Sequence, residues 1–153
     1  MTDERERVLY ALASIRVFLG ALWLSNLSWK LPPDFGKHDA RGLLYSFRVA
    51  ERHAVVSPLR NLVHDVVIPN FTAFGYLVFA IEAVAGTLLL LGLFTKVGAF
   101  VGLLQSLAIA SLVAGAPNSW KWGYAMLVLL NLIALATPVA RRLSLDDRLG
   151  RDP

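Results

Sequence analysis

The stretch GYLVFAIEAVAGTLLLLGLF, residues 75–94, holds one charged side chain, Glu82, among apolar and small residues. At about 1.5 Å rise per residue, a helix of that length covers the roughly 30 Å hydrocarbon layer of a bilayer. The run therefore predicts a membrane-crossing helix, and the carboxylate at its centre is the residue to explain. A charge at mid-bilayer costs about 2.5 kcal/mol or more, so Glu82 is expected to face the protein interior and to meet a partner there.

The rest of the chain agrees with that reading. It has 153 residues, 56% of them hydrophobic, and a mean hydropathy of +0.57, which suits a single membrane domain better than a soluble one. Apolar stretches of spanning length lie at 8–29, 71–94, 97–115 and 120–137. The expected fold is all-α, an integral membrane four-helix bundle over 1–153 with short amphipathic helices between spans one and two. The first stretch is longer than a signal-peptide core, contains Arg16, and runs into LSWKLPPDFG instead of a small-x-small cleavage site, so it reads as a retained helix.

The formal charge of +4 comes from basic residues scattered around the apolar spans, which points to anionic lipid and away from nucleic acid. There are no cysteines, so no disulfide or dithiol pair forms within the chain. His38, His53 and His64 lack metal-ligand spacing, and no metal site is expected. Arg5, Arg7, Lys96, Arg141, Arg142, Arg148 and Arg151 fall on one side of a four-span topology, which by the positive-inside rule puts both termini in the cytoplasm. The opposite side also carries Lys37, Arg41, Arg48, Arg52 and Arg60, in a longer segment. Trp29, Trp120 and Trp122 would form an aromatic belt at the outer interface.

That longer segment, residues 31–69, has a pattern of its own. In SPLRNLVHDVVIP, Ser57 is placed to cap a helix with Pro58 at its first position, and Leu59, Leu62, Val63, Val66 and Val67 fall on one face before Pro69. In DARGLLYSFRVAERH, Leu43, Leu44, Phe47 and Ala50 form a second apolar stripe. Two amphipathic helices follow, lying at the outer interface or capping the bundle. SLDDRLG reads as a final helical turn, with Ser144 and Asp147 at capping-box spacing and Gly150 as its stop.

Lipid tails are as apolar as leucine, so the spans need close backbone approach or polar pairing to associate. Gly98, Gly102, Ser106, Ala110 and Ala114 give the third span a ribbon of small residues, and Gly75, Ala85 and Gly86 share the side of Glu82. Each span also carries one strongly polar group: Arg16, Glu82, Gln105 and Asn131. Counted from the inner span ends at about 1.5 Å per residue, these sit at comparable depths, close enough to form one layer. An Arg16–Glu82 pair is the first expectation, with Gln105 and Asn131 completing its hydrogen bonds. The layer serves either to fix helix register or to work as a site; alternatively, Arg16 snorkels to the surface and Glu82 stays neutral. Arg16, Trp23 and Lys30, seven apart, share a face with Asn26 at its shoulder. That face either lines a pocket for a quinone head group or anchors the helix end.

RVFLGALWLSNLSWKLPPDFG, IEAVAGTLLLLGLFTKVGAF and the RRLSLDDRLG ending, in this order and spacing, resemble the DoxX family of small four-helix bacterial membrane proteins, which includes the small DoxD subunit of thiosulfate:quinone oxidoreductase. The resemblance covers most of the chain apart from residues 37–68. It implies a bacterial inner-membrane protein, frequently a subunit of a redox or sulfur-metabolism complex, with partner subunits; the cofactor is left unassigned, a quinone being one candidate. By position, the family's early arginine corresponds to Arg16, its lysine after the first span to Lys30, its glutamate to Glu82, and its Ser-Leu-Asp to Ser144, Leu145 and Asp146. The enlarged segment after the first span departs from the family pattern. Three functions follow: a membrane subunit of a quinone-linked oxidoreductase using Arg16, Trp23, Lys30 and Glu82; a non-catalytic scaffold docking a partner enzyme through residues 31–69; and a small transporter or proton path through Glu82. Besides the lipid bilayer and partner subunits, a second copy of the chain, as a homo-oligomer, is an alternative partner.

Overall fold

The computed structural model describes residues 2–139 and 142–150, without the side chain of Thr2; Arg141 and Arg151, counted above on the inner side, lie outside the described residues. The helices are α1 (Thr2–Ser25), α2 (Leu43–His53), α3 (Ser57–Leu62, running into a π-helical turn over Val63–Val67), α4 (Phe71–Leu91), α5 (Thr95–Val113), α6 (Lys121–Ala136) and α7 (Leu145–Arg148). Three of them are long and apolar enough to cross a membrane: Asp3–Ser25, Phe71–Leu91 and Thr95–Val113.

The fourth apolar helix is shorter than the 120–137 span expected. Its 16 residues reach only about 24 Å at the α-helical rise. Thr137 has left the helix for extended backbone, with φ −114° and ψ 160°, because Pro138 behind it disfavours the helical conformation in the residue it follows.

α1 packs on α4, α4 on α5 and α5 on α6, and a lighter α1–α6 contact closes the ring. The α1–α4 pair is set by two glycines. A Cβ on Gly20 would stand 2.5 Å from the Leu90 nitrogen, and one on Gly86 would stand 2.8 Å from Leu24 Cγ. Missing side chains thus let the two backbones approach and fix their register.

Two apolar clusters result. One, inside the ring, holds Leu19, Trp23, Ala85, Leu89, Ala99, Ala134 and Val139. The other lies at the end away from the chain termini, the end expected from the sequence to face outward and called the outer end below, and joins Phe35, Leu43, Phe47, Ala50, Val63, Val67 and Phe71. The amphipathic helices therefore spend their apolar stripes on the bundle and cap it. Phe35 plugs this cap, its ring edge-on to Phe71 at 6.2 Å and to Tyr76 at 4.8 Å.

α3 departs from the pattern read in SPLRNLVHDVVIP. Ser57 is the first helical residue and makes no capping bond. Of the expected stripe, Val63 and Val67 are buried, while Leu62 and Val66 are 49% and 40% exposed. Residues four apart share a side, Val63 with Val67 toward the protein and Leu62 with Val66 away from it, and the winding over this turn is π, the Ile68 N–H donating to the Val63 carbonyl at 2.9 Å.

Candidate functional site

The polar residues of the spans separate into three clusters stacked along the bundle. At the outer end, α1 stops at Ser25 and short turns wind the chain inward, so that Lys30 is only 2% exposed. Its ammonium donates to Glu82 Oε1 at 2.6 Å and stands 2.6 Å from Oε2. Asn26 Nδ2 donates to Oε2 at 3.2 Å and Gln105 Nε2 to Oε1 at 3.3 Å. The Lys30 ammonium also lies 4.4 Å from the centroid of the Trp29 ring, and the Trp29 indole donates to Asn26 Oδ1 at 3.0 Å. Glu82, wholly buried, is thus compensated by one cation and two amides, which is what a buried charge requires.

The middle cluster ties three helices. Trp23 Nε1 donates to Asn131 Oδ1 at 3.4 Å. Asn131 Nδ2 donates to Ser106 Oγ at 3.1 Å and to the Leu127 carbonyl at 2.8 Å, and Ser106 Oγ donates to the Gly102 carbonyl at 2.7 Å. Gly102 makes room for this crossing, since a Cβ there would come within 2.1 Å of Asn131 Oδ1.

At the opposite end, which gathers the start of α1, the α4–α5 turn and α7 and is called the inner end below, charged side chains cap helices. Arg16 donates through Nη1 to the Leu89 carbonyl and, at 3.1 Å, to that of Leu90; through Nη2 to Leu143 at 2.6 Å; and through Nε to Val139 at 3.3 Å. It thereby satisfies the last turn of α4 and holds the chain after α6. Asp146 accepts from the N–H groups of Phe94 and Thr95, both at 3.1 Å, and from the Thr95 hydroxyl at 3.2 Å, capping the start of α5. Lys96 donates to the Leu135 and Thr137 carbonyls at 2.6 and 2.8 Å, capping the end of α6. Helix ends leave four N–H or C=O groups without intrahelical partners, and opposite charge belongs there.

The Arg16–Glu82 pair is therefore not formed; Lys30 takes that place. Counting depth from residues 8 and 94 put Arg16 near Glu82, but α1 starts at Thr2 and overhangs the inner end. The contacts of Gly20 with Leu90 and of Gly86 with Leu24 align Glu82 with the end of α1, and leave Arg16 opposite the end of α4. The structure brings together Lys30, Glu82 and Gln105 in one cluster and Trp23 with Asn131 in the next, and sets Arg16 apart. Ser106, Thr95 and Asp146 complete these clusters without having been singled out as site residues, although Ser-Leu-Asp before a final turn is a capping signal. In this arrangement the Arg16 donors are spent on carbonyls and the Lys30 ammonium on Glu82 and Trp29. These groups fit a closed interior better than a quinone head-group site.

Compared with known families, residues 10–152 match the model described as TQO small subunit DoxD, where TQO is thiosulfate:quinone oxidoreductase. All three clusters fall inside the matched region. No curated protein and no solved structure matches the chain.

Proposed function

This chain belongs to the DoxD family, and we propose that it is the membrane-embedded small subunit of a quinone-linked oxidoreductase complex. The match over residues 10–152 carries the reading. α1, α4, α5 and the shorter α6 cross the bacterial inner membrane as a four-helix bundle. The end that gathers the start of α1, the α4–α5 turn and α7 faces the cytoplasm, with Arg5, Arg7, Lys96, Arg142 and Arg148. A chain without cysteine needs a partner subunit or a bound cofactor to pass electrons. Purification from native membranes tests this. A second subunit is expected to accompany the chain, and quinone reduction by the membranes is expected to fall when the chain is deleted. A chain that purifies alone, from membranes whose quinone reduction survives its deletion, would overturn the proposal.

The closed polar interior favours a second reading, a scaffold that seats the partner without joining the chemistry. Replacing Lys30 by Met and Glu82 by Leu together separates the two. Unchanged turnover in an assembled complex supports the scaffold, and a loss of tenfold or more with assembly intact places the pair in the reaction.

A further inference from the structure

We propose that a cleft at the outer end of α4 binds the phosphate of an anionic membrane lipid. The cleft measures about 500 Å³ and lies between α2, the loop before it and the start of α4. Lys37 and Arg48 line it together with the apolar Leu44, Ile68 and Phe71 and with Thr72. Among the described residues neither cation has an ion-pair partner. The nearby Asp34 carboxylate is turned to the Lys37 backbone N–H at 3.1 Å and leaves the ammonium free. Lys30 and Arg60 are engaged, by Glu82 and by the Ala54 carbonyl at 2.9 Å, while Arg41 and Arg52 do not line the cleft. Two unpaired cations at one cleft, one of them a guanidinium fork, match a tetrahedral oxyanion.

What lies next to the cleft points to a lipid as the bearer of that oxyanion. Along the outer turns of α4, Tyr76 and Leu77 are 50% and 52% exposed, so an apolar path runs from the cleft along a helix that crosses the membrane. A phospholipid can place its phosphate between Lys37 and Arg48 and lay its glycerol and first methylenes on this path, whereas free phosphate uses only the cations. The inference needs the membrane-crossing part of the proposed function and is independent of any redox partner.

The test is native mass spectrometry of the full chain in detergent, titrated with phosphatidylglycerol or phosphatidylcholine. Wild type is expected to retain phosphatidylglycerol about tenfold better, Lys37→Ala with Arg48→Ala to bring the two lipids to parity, and Arg52→Ala to leave the preference unchanged. Circular dichroism confirms that the variants fold. Equal retention of both lipids by wild type, or an undiminished preference in the double variant, would overturn the proposal. Complete displacement of the lipid by millimolar inorganic phosphate would keep the oxyanion site and overturn its assignment to lipid.

Discussion

Lys30 and Glu82 form a buried ion pair across the outer end of the α1–α4 contact, with the ammonium 2.6 Å from each carboxylate oxygen. A pair of this kind contributes little net stability against an apolar substitute, because taking both charges out of water offsets their attraction. Its members are nonetheless costly to separate. Lys30→Met leaves an uncompensated carboxylate in the interior and is expected to cost about 3–5 kcal/mol. Adding Glu82→Met should restore most of that loss. Thermal melts in detergent check both, and a double variant no more stable than the single would show that the pair itself holds the helices.

Arg16 shows why a charge-conserving change need not conserve stability. Its planar fork reaches carbonyls of Leu89, Leu90, Val139 and Leu143 at once, while an ammonium is a single point on a flexible stem. Arg16→Lys is expected to lose about 2 kcal/mol or more, at about 1 kcal/mol per hydrogen bond that cannot be remade. The loss should concentrate where the fork joined separate segments. Hydrogen exchange is expected to rise across residues 142–150 and at the end of α4, with the outer cap unchanged.

Much of this architecture is legible in the sequence, and the errors share a cause. An acid inside an apolar run must turn inward and be compensated, so the burial of Glu82 follows from its neighbours alone. The identity of its cation depends on how far α1 slides along α4, and hydropathy marks the apolar core of a span without marking where its helix begins. The glycines at 20 and 86 carry that register, yet their partners become visible only in three dimensions. α3 fails for a related reason. An apolar stripe marks which side of a helix can be buried without marking how much of it meets a neighbour, and Val63 and Val67 of the π turn reach the cap core while Leu62 and Val66 stay exposed. The SLDDRLG ending is read correctly, with Ser144 Oγ accepting from the Asp147 N–H at 3.0 Å, because a cap is settled within one turn.

Gly102 is the tightest point of the middle cluster. Alanine is the better helix former by about 1 kcal/mol, but its Cβ would stand 2.1 Å from Asn131 Oδ1 and 3.0 Å from Trp23 Nε1. Asn131 is held by hydrogen bonds to Ser106 and the Leu127 carbonyl and has little freedom to retreat. Overpacking of about 1–3 kcal/mol should therefore outweigh the propensity gain. Gly102→Ala is expected to melt earlier than wild type, and Asn131→Ala in the same chain should make the added methyl harmless. A Gly102→Ala variant more stable than wild type would show that the α5–α6 contact yields.

The outer cap carries a pH-dependent link. His64 Nδ1 lies 2.5 Å from Glu51 Oε1, joining the π turn to α2, and Asp65 Oδ1 is 4.0 Å from Nε2. The hydrogen bond and charge of Glu51, with a smaller contribution from Asp65, raise the His64 pKa above its ordinary 6.5. A raised folded-state value favours the protonated form, so the link is fully present below the unfolded pKa of about 6.5 and is lost as pH climbs through the higher folded value. Hydrogen exchange over residues 43–67 is expected to quicken, relative to the intrinsic rate, as pH rises from 6 to 9. The change should be small for so exposed a side chain. His64→Gln should flatten the profile, and a wild-type profile already flat over this range would mean that the imidazole and carboxylate do not pair in the membrane-bound protein.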